Sequence, residues 1–213
     1  QDPLDVISDL SGLPLLIKLM SVCPLPDLEL EGLLKNLRSF ILSNIFSIKK
    51  ASPALLSFQS ALALQCFTNE YIYNYTTEEE KALQALEKHV KKVLKNKEQP
   101  SPQVILALAS YKALNEYDWC KSLDVEKHLR EVYTRQVEEP NYEEKLKQDL
   151  PVLDGITDSI SSKVRAQYEE SPYPRWVNLQ LSFRPVLISN VVDEIKLKLH
   201  DDKITEVVKP DIL

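Results

Sequence analysis

The residues best suited to chemistry form one short run, Pro172-Tyr173-Pro174-Arg175-Trp176. The two prolines hold φ at roughly −65° and favour extended geometry in the residue before each, so the run is stiff. Tyrosine and tryptophan offer flat apolar faces with one polar atom each, and arginine offers a two-pronged donor for a carboxylate. Such a set could close over a ligand that carries an adenine, a ribose, a positive centre and a carboxylate.

The same run could instead have a purely structural role. An aromatic cluster flanked by prolines can anchor a connecting segment to a helical bundle, with Arg175 paired to a surface acid. Glu169 and Glu170, just upstream, supply acceptors in either case. The residues alone therefore leave ligand closure and anchoring both open.

A second polar set lies in the most apolar part of the chain. Residues 54–73 are apolar on nearly every helical face, which predicts a central helix surrounded by others. Gln65, Asn69 and Glu70 interrupt this stretch, and polar groups there must be hydrogen-bonded or exposed. They predict a polar pocket facing a substrate, an internal network tying the helix to the connector, or groups at a solvent edge.

The elements that would position both sets are helices. Leucines and isoleucines recur at spacings of three and four, which indicates an amphipathic helix, at Leu30, Leu33, Leu34, Leu37, Ile41 and Ile45. A capping box at Thr77 and Glu80 predicts the start of another helix. The sequence therefore predicts an all-α fold, an irregular multi-helix bundle over residues 1–150.

Residues 151–213 are interpreted as a second region, a helical and extended connector rich in proline and aromatic residues. Its last residues, Pro210-Asp211-Ile212-Leu213, read as the beginning of a truncated buried β-strand. We therefore expect a longer protein whose catalytic part is missing from this chain, and no catalytic residue is assigned here.

Composition argues against several classes of site. The three glycines are isolated, which excludes a dinucleotide-binding turn and a P-loop. The net charge is −6 and no basic stripe is interleaved with aromatics, so we expect no nucleic-acid partner. Three distant cysteines without a C-x-x-C pattern predict no metal site and favour a reducing, cytoplasmic setting. No apolar run is long enough for a membrane span.

Residues 163–176 add a resemblance to a known family. Gln167 to Trp176 match the pattern Q-Y-E-x-[SN]-P-Y-P-R-W, which is similar to the segment preceding the cofactor domain in bacterial S-adenosylmethionine-dependent methyltransferases. These proteins often carry tetratricopeptide repeats at their N-terminus. Residues 61–71 resemble the family's A-L-A-x-Q-C-F-x-N-E-Y helix, and residues 28–38 resemble its first amphipathic helix.

The resemblance implies a specific role for the chain. It would be the substrate-recruiting or structural N-terminal domain of a methyltransferase, inactive alone, and its truncated strand would begin a class I, Rossmann-like domain. Tyr168, Tyr173, Arg175 and Trp176 would cover S-adenosylmethionine or shape the substrate mouth, although tight cofactor binding by this chain alone is not expected. The partners implied are the chain's own C-terminal methyltransferase domain and a protein or small-molecule methyl acceptor.

A competing hypothesis gives the chain no cofactor role at all. A helical bundle can act as a non-catalytic adaptor that binds a protein or peptide partner in an apolar groove. The adaptor requires an exposed apolar patch of several hundred square ångströms, whereas the methyltransferase domain requires the aromatic run to face a ligand.

Overall fold

The computed structural model describes residues 2–149, 158–170 and Asn190. Every regular element within those residues is helical and no strand is among them, which confirms the all-α prediction for that part of the chain. The predicted connector over residues 151–213 is described at 158–170, where it is helical, and at Asn190, while its extended part at residues 172–176 and the strand at Pro210–Leu213 lie outside the described residues. Two compact units, Gln1–Val177 and Asn178–Leu213, divide the chain, and Asn190 is the one described residue of the second. The predicted boundary at residue 150 stays a prediction.

The described helices follow one another with short connections. The α-helices are α1 Pro3–Ser11, α2 Pro14–Val22, α3 Leu28–Asn44, α4 Pro53–Thr68, α5 Thr77–Lys95, α6 Pro102–Ala109, α7 Lys127–Tyr133, α8 Glu139–Asp149 and α9 Ser159–Glu170. Two 3₁₀ turns, Leu114–Glu116 and Cys120–Ser122, follow α6. A π-helical turn, Thr134–Glu138, joins α7 to α8.

Helix starts are encoded locally, by proline and by short polar caps. Proline occupies the first position of α1, α2, α4 and α6, where its missing N–H costs nothing. The side chains of Asp27 and Ser52 accept the backbone N–H groups of Leu30 and Leu55, at 2.9 and 3.1 Å. These caps set where α3 and α4 begin.

The capping box of α5 lies one residue earlier than predicted. Thr76 Oγ1 accepts the N–H of Glu79 at 3.2 Å, and the N–H of Thr76 donates to Glu79 Oε2 at 2.8 Å. The prediction of Thr77 with Glu80 was therefore wrong. The shift places Glu79 inside the bundle, 6% exposed, where it meets Tyr111, while Glu80 stays on the surface.

Helix α4 is the centre of the bundle, as the apolar stretch predicted. Its residues from Ala61 to Thr68 are all buried, and it packs against α1, α2, α6 and α7. The helix ends at Thr68 and does not continue to residue 73. The reason lies in the next residues, because Glu70 and Tyr71 adopt left-handed backbone with φ of 57° and 55°. Such a pair of non-glycine residues stops the helix and turns the chain towards α5.

The π-helical turn points one glutamine into the core. Gln136 is fully buried, and its Nε2 donates to the carbonyls of Ala63 and Ala109 at 3.2 and 3.1 Å. Its Oε1 accepts the N–H of Leu114 at 3.1 Å. One amide thus connects α4, the end of α6 and the 3₁₀ turn that follows.

Among the described residues, no helix is long and apolar enough to cross a membrane.

Replacing Gln136 with methionine tests this link. The variant keeps the size of the side chain but removes three buried hydrogen bonds and leaves the N–H of Leu114 without its partner, so we expect the free energy of unfolding to fall by about 2 kcal/mol. Urea denaturation followed by circular dichroism measures the change. Gln148→Met on the exposed face of α8 is the matched control and should cost less than about 0.5 kcal/mol. Equal stability of the two variants would contradict the role assigned to Gln136.

Candidate functional site

Tyr168 is the one residue of the predicted cofactor set that the structure describes. It lies on α9 with its side chain 63% exposed, and Ile160 and Val164 precede it at four-residue spacing, 71% and 46% exposed. The three side chains share one face of the helix. Tyr173, Arg175 and Trp176 lie outside the described residues, so their covering role stays a prediction.

Gln65 is held inside the bundle, far from solvent. It is 1% exposed, and its amide is placed to donate to the carbonyls of Met20 and Cys23 at 3.1 and 3.0 Å and to accept the N–H of Leu25 at 3.1 Å. These groups belong to the last turn of α2 and the segment after it. Gln65 therefore ties α4 to the chain between α2 and α3.

Asn69 and Glu70 are separated from Gln65 by the end of α4. Asn69 is half-buried and its amide lies beside the hydroxyl of Tyr73, although neither group reaches full hydrogen-bond geometry with a described residue. Glu70 is exposed on the left-handed turn. The three predicted pocket residues thus line no common cavity among those described, and their substrate role stays a prediction.

The structure assembles a different polar cluster, around Arg38 of α3. This side chain is 1% exposed; Nη2 donates to the carbonyls of Tyr73 and Asn74 at 2.9 and 3.4 Å, and Nη1 donates to that of Ser110 at 3.3 Å. The guanidinium also lies over the ring of Tyr111, 4.0 Å from its centroid. Arg38 therefore holds the turn before α5 and the end of α6 against α3.

An acid completes the cluster at the hydroxyl of the same tyrosine. The hydroxyl of Tyr111 donates to Oε1 of Glu79. Burial alone would raise the pKa of the Glu79 carboxyl, but hydrogen bonds from Tyr111, Thr76 and Ser39 and the charge of Arg38 outweigh it, so the pKa is lowered. Tyr111 thus contacts both charges, since its hydroxyl donates to Glu79 and its ring lies under the guanidinium of Arg38.

Cys66 is a potential nucleophile beside this cluster, but burial keeps it protonated. Burial raises the pKa of its thiol to about 12, against the opposing effect of the Arg38 charge. At neutral pH it is therefore a thiol and not a thiolate, and it acts as a small apolar side chain. The gap beside Arg38, lined by Gln59, Leu62 and Ser110, is too narrow to admit a water molecule. The cluster consequently holds the fold together and has no room for a substrate.

Sequence reasoning missed Arg38, although a signal was present. The residue follows Leu34 by four positions and precedes Ile41 by three, so it occupies the buried face of an amphipathic helix. A charged residue on such a face must be paired. Nothing in the sequence, however, identifies three backbone carbonyls from distant turns as the partners.

The part of the chain that the structure describes offers little for a metal. No group of three histidine, cysteine, aspartate or glutamate side chains is close enough there to hold an ion. The free thiols Cys23, Cys66 and Cys120 are separate from one another.

Comparison of the chain with protein-family models, curated proteins and solved structures gives no significant match.

The Tyr111–Glu79 hydrogen bond predicts a specific dependence of stability on pH. Because the pKa of Glu79 is lower in the folded protein, the carboxylate stabilises the fold above its ordinary pKa of 4.5, and this stability is lost as the pH falls through the lowered value. Tyr111→Phe should therefore cost about 1 kcal/mol at neutral pH and progressively less below about pH 4. Urea unfolding at several pH values measures both quantities.

Tyr142→Phe is the matched control, because Tyr142 is 63% exposed on α8. It removes the same hydroxyl from a solvated position and should leave stability unchanged at every pH. If the loss of unfolding free energy caused by Tyr111→Phe stayed constant from neutral to acid pH, the hydrogen bond of the Tyr111 hydroxyl would not depend on the ionised carboxylate of Glu79.

Proposed function

We propose that the chain is the N-terminal helical domain of an S-adenosylmethionine-dependent methyltransferase, a structural or substrate-recruiting part that has no catalytic activity alone. The observation that carries the proposal is the position of Tyr168. It ends the exposed apolar face of α9 and is the second residue of the match, Gln167 to Trp176, that resembles the segment preceding a cofactor domain. The extended connector and the first Rossmann-like strand at Pro210–Leu213 belong to the proposal as well.

The chemistry of the ligand fits the residues of the aromatic run. S-Adenosylmethionine carries an adenine, a ribose, a positive sulfonium and a carboxylate, and it supplies the methyl group when bound. Tyr168, Tyr173 and Trp176 offer aromatic faces for the adenine and the cation, and Arg175 offers a forked donor for the carboxylate. Since the Rossmann-like domain would bind most of the cofactor, these residues cover it and exclude water.

The described bundle suits a supporting role in such a protein. Arg38 and the buried glutamines Gln59 and Gln136 donate hydrogen bonds to backbone carbonyls. These polar side chains therefore support the fold and do not face an open cavity. The exposed apolar side chains of Ile160, Val164 and Tyr168 form a stripe on α9 that a partner domain could cover. The free thiols support a reducing compartment, and we propose the cytoplasm.

One observation favours the second candidate function, a non-catalytic adaptor. An open groove runs beside the π-helical turn and α8, with an exposed tyrosine on its rim. A groove of this kind can take a peptide whether or not a cofactor domain is present. The two functions are therefore separable by experiment.

Titration of the complete natural protein with S-adenosylmethionine tests the first proposal. We expect saturable binding, and we expect Trp176→Ala and Arg175→Ala each to weaken it about tenfold, because each removes a contact worth about 1.4 kcal/mol. Isothermal titration calorimetry gives the dissociation constants. Arg130→Ala, an exposed arginine of α7, is the control and should bind as the unmodified protein does.

Two results would count against the proposal at different levels. Unchanged affinity in both variants would remove the covering role of the aromatic run while leaving the methyltransferase assignment in place. Absence of S-adenosylmethionine binding by the complete protein would refute the assignment itself and favour the adaptor.

A further inference from the structure

A groove of about 500 Å³ opens where the chain passes from α7 through the π-helical turn into α8. Its size is that of a typical ligand-binding cleft. The lining comes from the second 3₁₀ turn, the end of α7, the π-helical turn and α8, and it consists of Lys121, Tyr133, Val137, Glu138, Asn141, Tyr142 and Lys145. None of these described lining residues belongs to the Arg38 cluster.

The groove carries positive charge on two different elements. Lys121 belongs to the 3₁₀ turn and Lys145 to α8, and neither forms an ion pair with a described residue. The one acid of the lining, Glu138, is already neutralised. Its Oε1 lies 3.2 Å from Arg130 Nη1, and its Oε2 accepts the Thr134 hydroxyl at 2.6 Å. Two ammonium groups that have no ion-pair partner among the described residues therefore line the groove of a chain whose net charge is −6.

The same groove offers apolar surface next to these charges. Val137 is 2% exposed and forms part of the floor, while Tyr142 is 63% exposed on the rim. Leu146 follows Tyr142 by one helical turn, 45% exposed, and extends the apolar surface beyond the groove. Large apolar side chains left adjacent in solvent are typical of an interaction surface.

The walls are held in place before any ligand arrives. Arg135, in the π-helical turn, donates from Nη1 to the carbonyl of Ser21 at 3.1 Å, and Gln136 is bound to three backbone groups of the core. Asn141 Nδ2 donates to the carbonyl of Val137 across the junction with α8. A groove fixed in this way loses little conformational entropy on binding.

We propose that this groove binds an acidic, amphipathic peptide segment of a partner protein. Carboxylates of the segment pair with Lys121 and Lys145, and its apolar side chains pack on Val137, Tyr142 and Leu146. Charge complementarity favours an acidic partner, since the ammonium groups of Lys121 and Lys145 would repel a basic segment. This inference does not depend on the methyltransferase proposal, because it uses none of the residues assigned to the cofactor.

Fluorescence anisotropy on the full chain tests the proposal with a defined probe. The probe is a fluorescein-labelled peptide of glutamate and leucine, with the leucines at the i, i+3 and i+4 positions of an amphipathic helix. We expect saturable binding that weakens as sodium chloride is added. The double variant Lys121→Glu with Lys145→Glu should weaken it at least about tenfold, and Tyr142→Ala about fivefold.

The matched control is Lys49→Glu with Lys127→Glu, two exposed lysines outside the groove that change the net charge equally. This control should alter the affinity by less than about twofold. Three outcomes overturn the proposal: no saturable binding of the glutamate–leucine peptide, an equal loss in both double variants, or equal binding of a peptide with lysine in place of every glutamate. The last two would show non-specific attraction and not a binding groove.

Discussion

The buried guanidinium of Arg38 is the interaction on which the rest of the described structure depends. A charge removed from water must be surrounded by acceptors, and here three backbone carbonyls and the rings of Tyr73 and Tyr111 surround it. Two of those carbonyls belong to the turn that leads into α5, and the third follows α6. The position of Arg38 therefore decides where both elements lie against α3.

The same solution recurs at other helix ends. Helices often end on glycine, which takes the left-handed conformation that satisfies the last carbonyls, but this chain has three glycines in 213 residues. Long polar side chains from distant helices bind these carbonyls instead. Gln65 and Arg135 donate hydrogen bonds to carbonyls in the last turn of α2 and in the residue after it. Gln136 donates to the carbonyl of Ala109 at the end of α6. These buried polar residues thus hold the irregular connections of the bundle in place.

The predictable part of this fold is the part set by local rules. Leucine spacing in α3, the apolar run in α4 and serine or proline at helix starts are read directly from the sequence, and the structure has them. The end of α4 was missed because Glu70 and Tyr71 carry no turn signal, and their left-handed geometry accompanies non-local contacts such as the bond from the Tyr71 hydroxyl to Ala109. The register of the capping box was missed for a similar reason, because Glu79 also accepts a hydrogen bond from Tyr111, which is distant in sequence. Gln65 was identified as an unusual polar residue, but its partners between α2 and α3 require the tertiary structure. The predicted aromatic site beyond residue 170 lies outside the described residues.

The most direct test of this account is the free energy of unfolding of Arg38→Met, compared with Arg130→Met on the exposed surface of α7. Methionine keeps much of the length of Arg38 but removes its donors, leaving three carbonyls unpaired and Glu79 without its nearby cation. The account predicts a loss of about 3 kcal/mol or more for Arg38→Met and less than about 0.5 kcal/mol for Arg130→Met. It also predicts that local opening exposes Cys66 to thiol reagents in the Arg38 variant, because the turn and the end of α6 lose their anchor, and this exposure outweighs the rise in the thiol pKa on loss of the Arg38 charge. Equal stability of the two variants, with Cys66 still protected in both, would contradict it.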